Sequence, residues 1–479
     1  MSGSTPAARS RPAIVADLFF RSAGAPLVPG NAVRILRDGE GNYPAWIEAI
    51  ASATRTVHLE MYIVHNDQIG RRFRDLLVER ARAGVQVRVL YDWFGALRPS
   101  SLRFWAPLVA AGGETRIANP PQLTTLLDVG ARDHRKLLVV DGRIAFISGL
   151  CIGNDWLGDP PRERPAWRDT GIAVEGPAVR EAEAAFAASW ERWGPPVPEE
   201  HRASDPARRG DVQMAVVPTS PDRPAVYRLE LAALGIAQKR MWLADAYFMA
   251  TSVYMEALSA AARDGVDVRL LVPHNSDVQW LGNLSRTLYR RLLASGVRIF
   301  EWNGPMMHAK TSVTDGRVVR VGSTNLNVAS WIGNWELDAI IHDERLGAEM
   351  EAMYEEDLRN ATEIVITGRN KVRLTSAAPP PASQRRRPPR RLATAASGSA
   401  NRVLKDVALA RSVLGSAVKG YRVLGRHEAV TLTVFGLLSL AVAVVGWQWP
   451  KAIALPVAFL AVLLAVALLG KGVRLWRMR

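Results

Sequence analysis

One cysteine, Cys151, stands in a chain of 479 residues. That excludes an intramolecular disulfide and fits a reducing compartment. The N-terminus, MSGSTPAARSRPAIVADLFF, lacks the apolar h-region of a secretory signal, so the body of the chain is expected on the cytoplasmic side. Acidic residues are nearly missing from the C-terminal quarter: residues 369–479 hold 19 Lys and Arg against 2 Asp and Glu. The formal charge of +15 is therefore a property of the tail, since the first 368 residues carry 42 basic and 44 acidic side chains. A body without net positive charge argues against a nucleic-acid partner, because that affinity rests mainly on neutralised phosphates. No clustered Cys, His and carboxylate set has metal-ligand spacing, so no metal or other cofactor is expected.

What is present comes in pairs. His-x-Lys-x4-Asp occurs as His134, Lys136 and Asp141 in DHRKLLVVDGRIAFISG, and as His308, Lys310 and Asp315 in MHAKTSVTDGRVVRVGSTN. In an extended segment positions i and i+2 share a face, so each imidazole lies beside an ammonium. Two such pairs suit a phosphoryl group that one histidine attacks while the other protonates what leaves. Seven residues after each Asp comes a small-residue frame, Ser148-Gly149-Leu150-Cys151 and Gly322-Ser323-Thr324-Asn325. Upstream, each half has a strand-like run with an acid and a Tyr two apart, Glu60/Tyr62 and Asp245/Tyr247. Each then has a helical pattern closing at Gly84 or Gly265, and a β run after it. The offset is 174 residues at the histidines. This is a duplicated α/β unit, too long for a solenoid repeat.

These parts, over about residues 30 to 368, resemble the phospholipase D superfamily, and within it the bacterial cardiolipin synthase branch. HRKLLVVDGRIAFISG, WRDTGIAVEGPAV, HAKTSVTDGRVVRVGSTNLN and SWIGNWE carry the likeness. It implies two tandem α/β lobes, each a mixed sheet flanked by helices, sharing one site at a pseudo-twofold. The expected divisions are an N-terminal extension (1–29), the two lobes (30–205 and 206–368), a basic linker with an amphipathic segment (369–428), two transmembrane helices (429–470) and a basic tail (471–479).

The resemblance also implies roles. His134 is taken as the nucleophile, forming a phosphohistidine, and His308 as general acid and then base, although the symmetry permits the reverse. Lys136 and Lys310 supply the positive charge a metal would otherwise bring. Asp169 and Glu336 are expected against the two rings, and Asp141 and Asp315 as structural ion-pair partners. Ser323 and Asn325 are expected to donate to phosphoryl oxygens. Cys151 departs from the Asn usual at its position. It reads as a plain small core residue, as an asymmetry that shifts phosphate binding towards the second half, or as one for which Asn154 compensates. His58, His65, His201, His274, His342 and His427 are read as ordinary histidines, and Tyr62 and Tyr247 as strand packing. Glu60 and Asp245 stay open between a site-supporting role and an edge position.

In the tail, Arg385, Arg386, Arg387, Arg390 and Arg391 cluster among prolines, and residues 402–426 interleave apolar with basic side chains. Two uncharged runs follow, Ala429–Trp447 and Ala452–Gly470, each of 19 residues, close to the roughly 20 that span a bilayer. Fourteen basic residues between Arg369 and Arg426, with Lys471, Arg474, Arg477 and Arg479 beyond the second run, face Lys451 alone in the turn. Both flanks are therefore expected in the cytoplasm. Family members with spans have them before the lobes, whereas here they follow a linker of roughly 60 residues that reaches some 40 Å.

The implied reaction is phosphatidyl transfer between two phosphatidylglycerols, giving cardiolipin and glycerol, at the cytoplasmic membrane. Phosphatidylethanolamine stays open as donor. Hydrolysis to phosphatidic acid, a catalytically quiet membrane scaffold and, last, a tethered nuclease are the alternatives.

Overall fold

A computed structural model describes residues 24–96, 102–120, 131–159, 163–203, 206–366 and 372–374. The apolar runs and the tail lie outside these residues, as do most of the expected extension and linker. The first lobe's leading strand begins at Val28, inside the expected extension, and a short strand at Val372–Leu374 falls inside the expected linker. Among the described residues no helix is long and apolar enough to cross a membrane.

Lobe one contains β1 (Val28–Arg37), α1 (Asp38–Ala51), β2 (Thr56–Met61), α2 (Gln68–Arg82), β3 (Gln86–Asp92), α3 (Leu102–Ala110), β4 (Glu114–Ala118), β5 (Lys136–Val140), β6 (Ile144–Ser148), β7 (Thr170–Glu175) and α4 (Ala178–Arg192). Lobe two repeats them as β8 (Val212–Thr219), α5 (Ala225–Ile236), β9 (Arg240–Ala244), α6 (Ser252–Arg263), β10 (Asp267–Pro273), α7 (Gln279–Ala294), β11 (Arg298–Trp302), β12 (Thr311–Thr314), β13 (Val318–Gly322), β14 (Glu336–His342) and α9 (Glu344–Arg359), with the short α8 (Val328–Ile332) inserted before β14. Strands β15 (Ala361–Ile366) and β16 (Val372–Leu374) extend its outer edge.

The strand order is β4-β3-β2-β5-β6-β7-β1 and then β8-β14-β13-β12-β9-β10-β11-β15-β16. Strands β2, β3 and β4 run parallel, as do β9, β10 and β11, while the rest pair antiparallel. The halves join where β1 pairs with β8, at Val28↔Met214 and Asn31↔Val212. Along one face a single apolar core crosses the joint, from Leu137, Ile147, Ile172 and Phe186 to Val319, Leu337 and Met350. Helices α4 and α9 lie over it, α4 reaching β8 and α9 reaching β1.

The helix boundaries follow local chemistry. The Asp67 carboxylate accepts from Gly70 N–H at the start of α2, and Gly84, at φ +88°, takes the left-handed turn beyond its end. Thr251 and Gly265 repeat this around α6.

The motif acids close the β5–β6 and β12–β13 hairpins. Asp141 and Asp315 have φ of +54° and +52°, each followed by a glycine at positive φ. The Asp141 carboxylate accepts from the N–H groups of Thr54, Arg55 and Thr56 at 2.7–3.2 Å. Asp315 accepts from those of Gln238, Lys239 and Arg240. These acids therefore stand a strand's length from the histidines, and their partners are main-chain amides rather than the expected ion pairs. The Thr54 hydroxyl also donates to Asp141 at 2.9 Å, and among the described residues the one cation near it is Arg143, at 3.5 Å. Burial pushes the Asp141 carboxyl up, and the three amides outweigh it, leaving it below its ordinary value. Asp141→Ala is expected to destabilise the fold by about 3 kcal/mol, read as a lowered unfolding midpoint. Arg143→Ala, whose side chain is 63% exposed, should shift it by less than about 0.5 kcal/mol.

Candidate active site

Each histidine meets the carboxylate of the other lobe. His134 Nδ1 lies 2.8 Å from Glu336 Oε2, and His308 Nδ1 lies 2.6 Å from Asp169 Oδ2. Two short main-chain bridges create this exchange. His134 N–H donates to Trp335 O while Trp335 N–H donates to Arg132 O, both at 2.8 Å. His308 N–H donates to Arg168 O at 2.7 Å, and Arg168 N–H to Met306 O at 2.9 Å. Each pre-histidine segment thus runs parallel to the residue before the opposite acid. The histidines stand just outside the strands, since β5 begins at Lys136 and β12 at Thr311.

The lysines remain beside them. Lys136 Nζ donates to His134 O at 2.5 Å and lies 5.1 Å from the centre of the Tyr62 ring. Lys310 Nζ contacts His308 O and lies 2.9 Å from His308 Nδ1. Tyr62 meets the His134 ring edge-on at 4.8 Å, and Tyr247 meets His308 at 6.0 Å. These tyrosines follow β2 and β9 and border the site, rather than packing within strands.

Each acid is held by more than its histidine. Glu336 Oε2 accepts from Ser323 Oγ at 2.6 Å, and its Oε1 from Asn334 Nδ2 at 3.1 Å. Asp169 Oδ2 accepts from the Trp156 indole at 2.9 Å, and its Oδ1 from Thr170 N–H at 2.8 Å. The Ser323 hydroxyl, expected on phosphoryl oxygens, is thus spent on Glu336. The matching lobe-one position is Gly149, where an added Cβ would stand 2.3 Å from Asp169 Oδ1. Asn325 is buried and donates through Nδ2 to Ser330 Oγ at 3.4 Å, which leaves one amide hydrogen uncommitted, while its Oδ1 has no hydrogen-bond partner. Cys151 is 1% exposed and belongs to the lobe-one core, so the small-core reading holds. Asn154 accepts from Ile69 N–H through Oδ1 and lines a cavity beside Trp167.

Glu60 and Asp245 lie at the C-terminal ends of central strands, which removes the edge reading. Asp245 accepts from Leu326 and Tyr247 N–H, bracing the Asn325 loop, and burial raises its carboxyl to about 6.

Burial dominates the titration of the site. It pulls His134 and His308 down to about 4 each, against the upward pull of Glu336 and Asp169. It also brings Lys310 down to about 8 and lowers Lys136. Burial raises both carboxyls, but the facing imidazoles and lysines outweigh it and leave Asp169 and Glu336 below their ordinary values. With Nδ1–H given to a carboxylate, each neutral ring keeps an Nε2 lone pair for a reacting centre. The arrangement provides two such rings, two ammonium groups and two fixed acids, a set suited to a phosphodiester.

Two buried arginines escaped the sequence reading. Arg168 donates through Nε to both Asp357 oxygens (2.9 and 3.0 Å) and through Nη1 to Asp38 at 3.1 Å. Arg135 reaches Glu336 O at 3.1 Å and Ser189 Oγ at 2.6 Å. The only signal for either was its position beside a candidate residue. Trp156 carried none.

The family model described as "Cardiolipin synthase, PLD-like domain" matches residues 46–154 and 231–358. Cardiolipin synthase 1 of Bacillus anthracis is 30% identical over 363 residues, covering 73% of this chain and 70% of that one. A cardiolipin synthase of Geobacillus sp. (strain WCH70) is 32% identical over 354 residues, with the same coverage. Among solved structures, phosphatidylserine synthase of Haemophilus influenzae Rd KW20 superposes with a TM-score of 0.58 at 14% identity, over 73% of this chain and 92% of that one. That likeness is one of fold.

The depressed histidines make stability depend on pH. An unfolded imidazole binds a proton near pH 6.5, whereas the folded pair resists it down to about 4. Between these values the unfolded state holds more protons, so stability rises with pH and is lost on acidification. The melting temperature should therefore climb from about pH 4 to 6.5, and more gently in His134→Asn and His308→Asn, as followed by thermal denaturation across that range.

Proposed function

Because the chain belongs to the phospholipase D superfamily, in its cardiolipin synthase-like branch, we propose that it is a phosphatidyltransferase making cardiolipin from two molecules of phosphatidylglycerol. His134 Nε2 attacks the phosphorus of the first, and the phosphorus–oxygen bond to its glycerol breaks. His308, which enters this step as the imidazolium favoured by Asp169 and the negative phosphate of the bound lipid, gives its Nε2 proton to that oxygen, and glycerol departs. His308 then takes the proton from a headgroup hydroxyl of the second phosphatidylglycerol. The freed oxygen displaces His134, which regains its lone pair. Lys136, Lys310 and the Asn325 amide steady the phosphoryl oxygens. Glu336 and Asp169 fix the ring tautomers and stabilise each imidazolium as it forms. Asp141 and Asp315 act on the fold only.

The crossed His–carboxylate pairs carry this reading. A cavity of about 490 Å³ adjoins the His308 side through Trp167, whose ring centre is 5.5 Å from that of His308, although neither histidine lines it. An alcohol would leave and enter on that side. The runs 429–447 and 452–470 are proposed to anchor the enzyme in the cytoplasmic membrane, with the lobes and both basic flanks on the cytoplasmic side. The polybasic stretch before them suits an anionic leaflet, at about 1 kcal/mol per basic residue.

Full-length protein in mixed micelles with labelled phosphatidylglycerol should release cardiolipin and glycerol in equal amounts. His134→Ala and His308→Ala should each lower the rate by about 10³-fold or more, and Asp169→Asn by roughly 10²–10⁴-fold. Phosphatidic acid as the sole lipid product would make the protein a hydrolase. Consumption of phosphatidylethanolamine instead would change the donor. No turnover of either lipid would leave a scaffold.

A further inference from the structure

Among the described residues only five large apolar side chains are well exposed: Val109, Ile236, Val253, Trp280 and Leu284. Three of them gather at one end of lobe two. Helices α6 and α7 follow the parallel strands β9 and β10, so their first turns stand at the carboxyl ends of those strands, where the site lies. Val253 is the second residue of α6, at 49% exposure, and Trp280 is the second of α7, at 38%. Leu284, at 39%, lies one turn beyond Trp280 on the same face. The link to the site is direct. Tyr247, whose ring faces His308, donates its hydroxyl to Asp277 at 2.7 Å, in the loop that opens α7.

The charge of α7 points to what it meets. Its sequence, QWLGNLSRTLYRRLLA, holds Arg286, Arg290 and Arg291 and no acid, in a body whose net charge is slightly negative. Arg286 and Arg291 are committed to Glu301 and Glu256 at 2.7 and 2.6 Å, while Arg290 is exposed. Leu281, Leu288, Tyr289 and Leu292 form the buried stripe of the helix, and Trp280 and Leu284 stand exposed along its edge. Exposed Trp and Leu beside exposed basic side chains are what a surface lying in a membrane interface uses, the apolar groups entering it and the basic ones meeting anionic headgroups. Where the described chain stops agrees with this. Strand β16 ends at Leu374, paired to β15, and α7 packs on β15 and β11. The polybasic and uncharged runs of the sequence follow from there.

We propose that the exposed face of α7, with Val253 of α6, is the surface by which the catalytic body rests on an anionic phospholipid bilayer, turning the Tyr247–Asp277 rim of the site towards the headgroups. Trp280 and Leu284 enter the interface to a depth of about 5–10 Å, and Arg290 meets lipid phosphates. This rests on the phospholipid reading of the site and adds the route by which an insoluble substrate reaches it.

The single cysteine makes a direct test practical, since Cys151 is 1% exposed and contributes little background labelling. Leu284→Cys and Val109→Cys, each in the full chain, would carry an environment-sensitive fluorophore in phosphatidylglycerol vesicles with or without brominated acyl chains. Val109 lies near the end of α3, which precedes β4 and so stands at the opposite end of the strands. Bromine should roughly halve emission at position 284 and leave position 109 unchanged. No quenching at 284, or equal quenching at both, would overturn the proposal. So would a label at 284 shielded from iodide yet untouched by bromine, because that means a protein partner such as a second copy. Cardiolipin formed in the same vesicles reports the activity separately. Product without quenching sinks the docking surface alone, and quenching without product sinks the transferase alone.

Discussion

The crossed pairing of each histidine with the other lobe's acid is the constraint on which the rest of the structure depends. Neither half holds a complete site. Lobe one supplies His134 and Asp169, which belong to different pairs, and lobe two supplies His308 and Glu336. The exchange works only if the lobes keep one register, and the two main-chain bridges at Trp335 and Arg168 set it. A shift of even one residue along either bridge would carry a ring away from its carboxylate. The continuous core and the β1–β8 junction therefore act on the chemistry, because they hold still two segments that meet across the pseudo-twofold.

Such a site gathers charge where water is scarce, and the fold compensates with other charges. Arg168 shows how. Its guanidinium joins Asp357 of α9 to Asp38 at the head of α1, while its carbonyl receives His308 N–H and the next residue is Asp169. One buried cation thus fixes an acid, the partner of that acid and the contact between the lobes. Arg135 acts similarly on the other side, reaching from the His134 segment to the main chain of Glu336. Removing either would leave buried carboxylates or carbonyls short of a partner, which costs several kcal/mol. Polar continuity of this kind holds a single geometry where a purely apolar interface would permit sliding.

Much of this was legible in the chain before any coordinates. The duplicated motif, the mixed sheet in each lobe, the helix-closing glycines and the acids Asp169 and Glu336 follow from spacing, periodicity and family likeness. Three things were hidden, each for a physical reason. The exchange of acids between lobes is a matter of long-range placement, and spacing along the chain says only that an acid follows each histidine. The work of Asp141 and Asp315 depends on a left-handed backbone that aims their carboxylates at amides, a geometry with no composition signature. Ser323 looked free to bind phosphate because its neighbour across the site, Glu336, is distant in neither sequence nor chemistry yet claims the hydroxyl first.

The small differences between the lobes follow from that last pairing. Glutamate is one methylene longer than aspartate, so Glu336 leaves room for a serine hydroxyl beside it, and Ser323 fills that room. Asp169 sits close against the main chain of Gly149, where no Cβ fits, and takes its second side-chain donor from the indole of Trp156 instead. Further from the centre the divergence widens. Lobe two buries Arg320 between Glu230 and Asp338 at 2.6 and 2.9 Å, where lobe one packs Phe146 against Trp46. Both solutions keep a His–carboxylate pair at hydrogen-bonding distance, but they build its surroundings from different materials. In the proposed transfer the halves perform different steps, one carrying the phosphoryl group and the other moving protons, and that reading gives them reason to diverge in this way. The common geometry is set by the reaction, while the indole and aromatic wall beside His308 and the hydroxyl beside Glu336 give each ring its own environment.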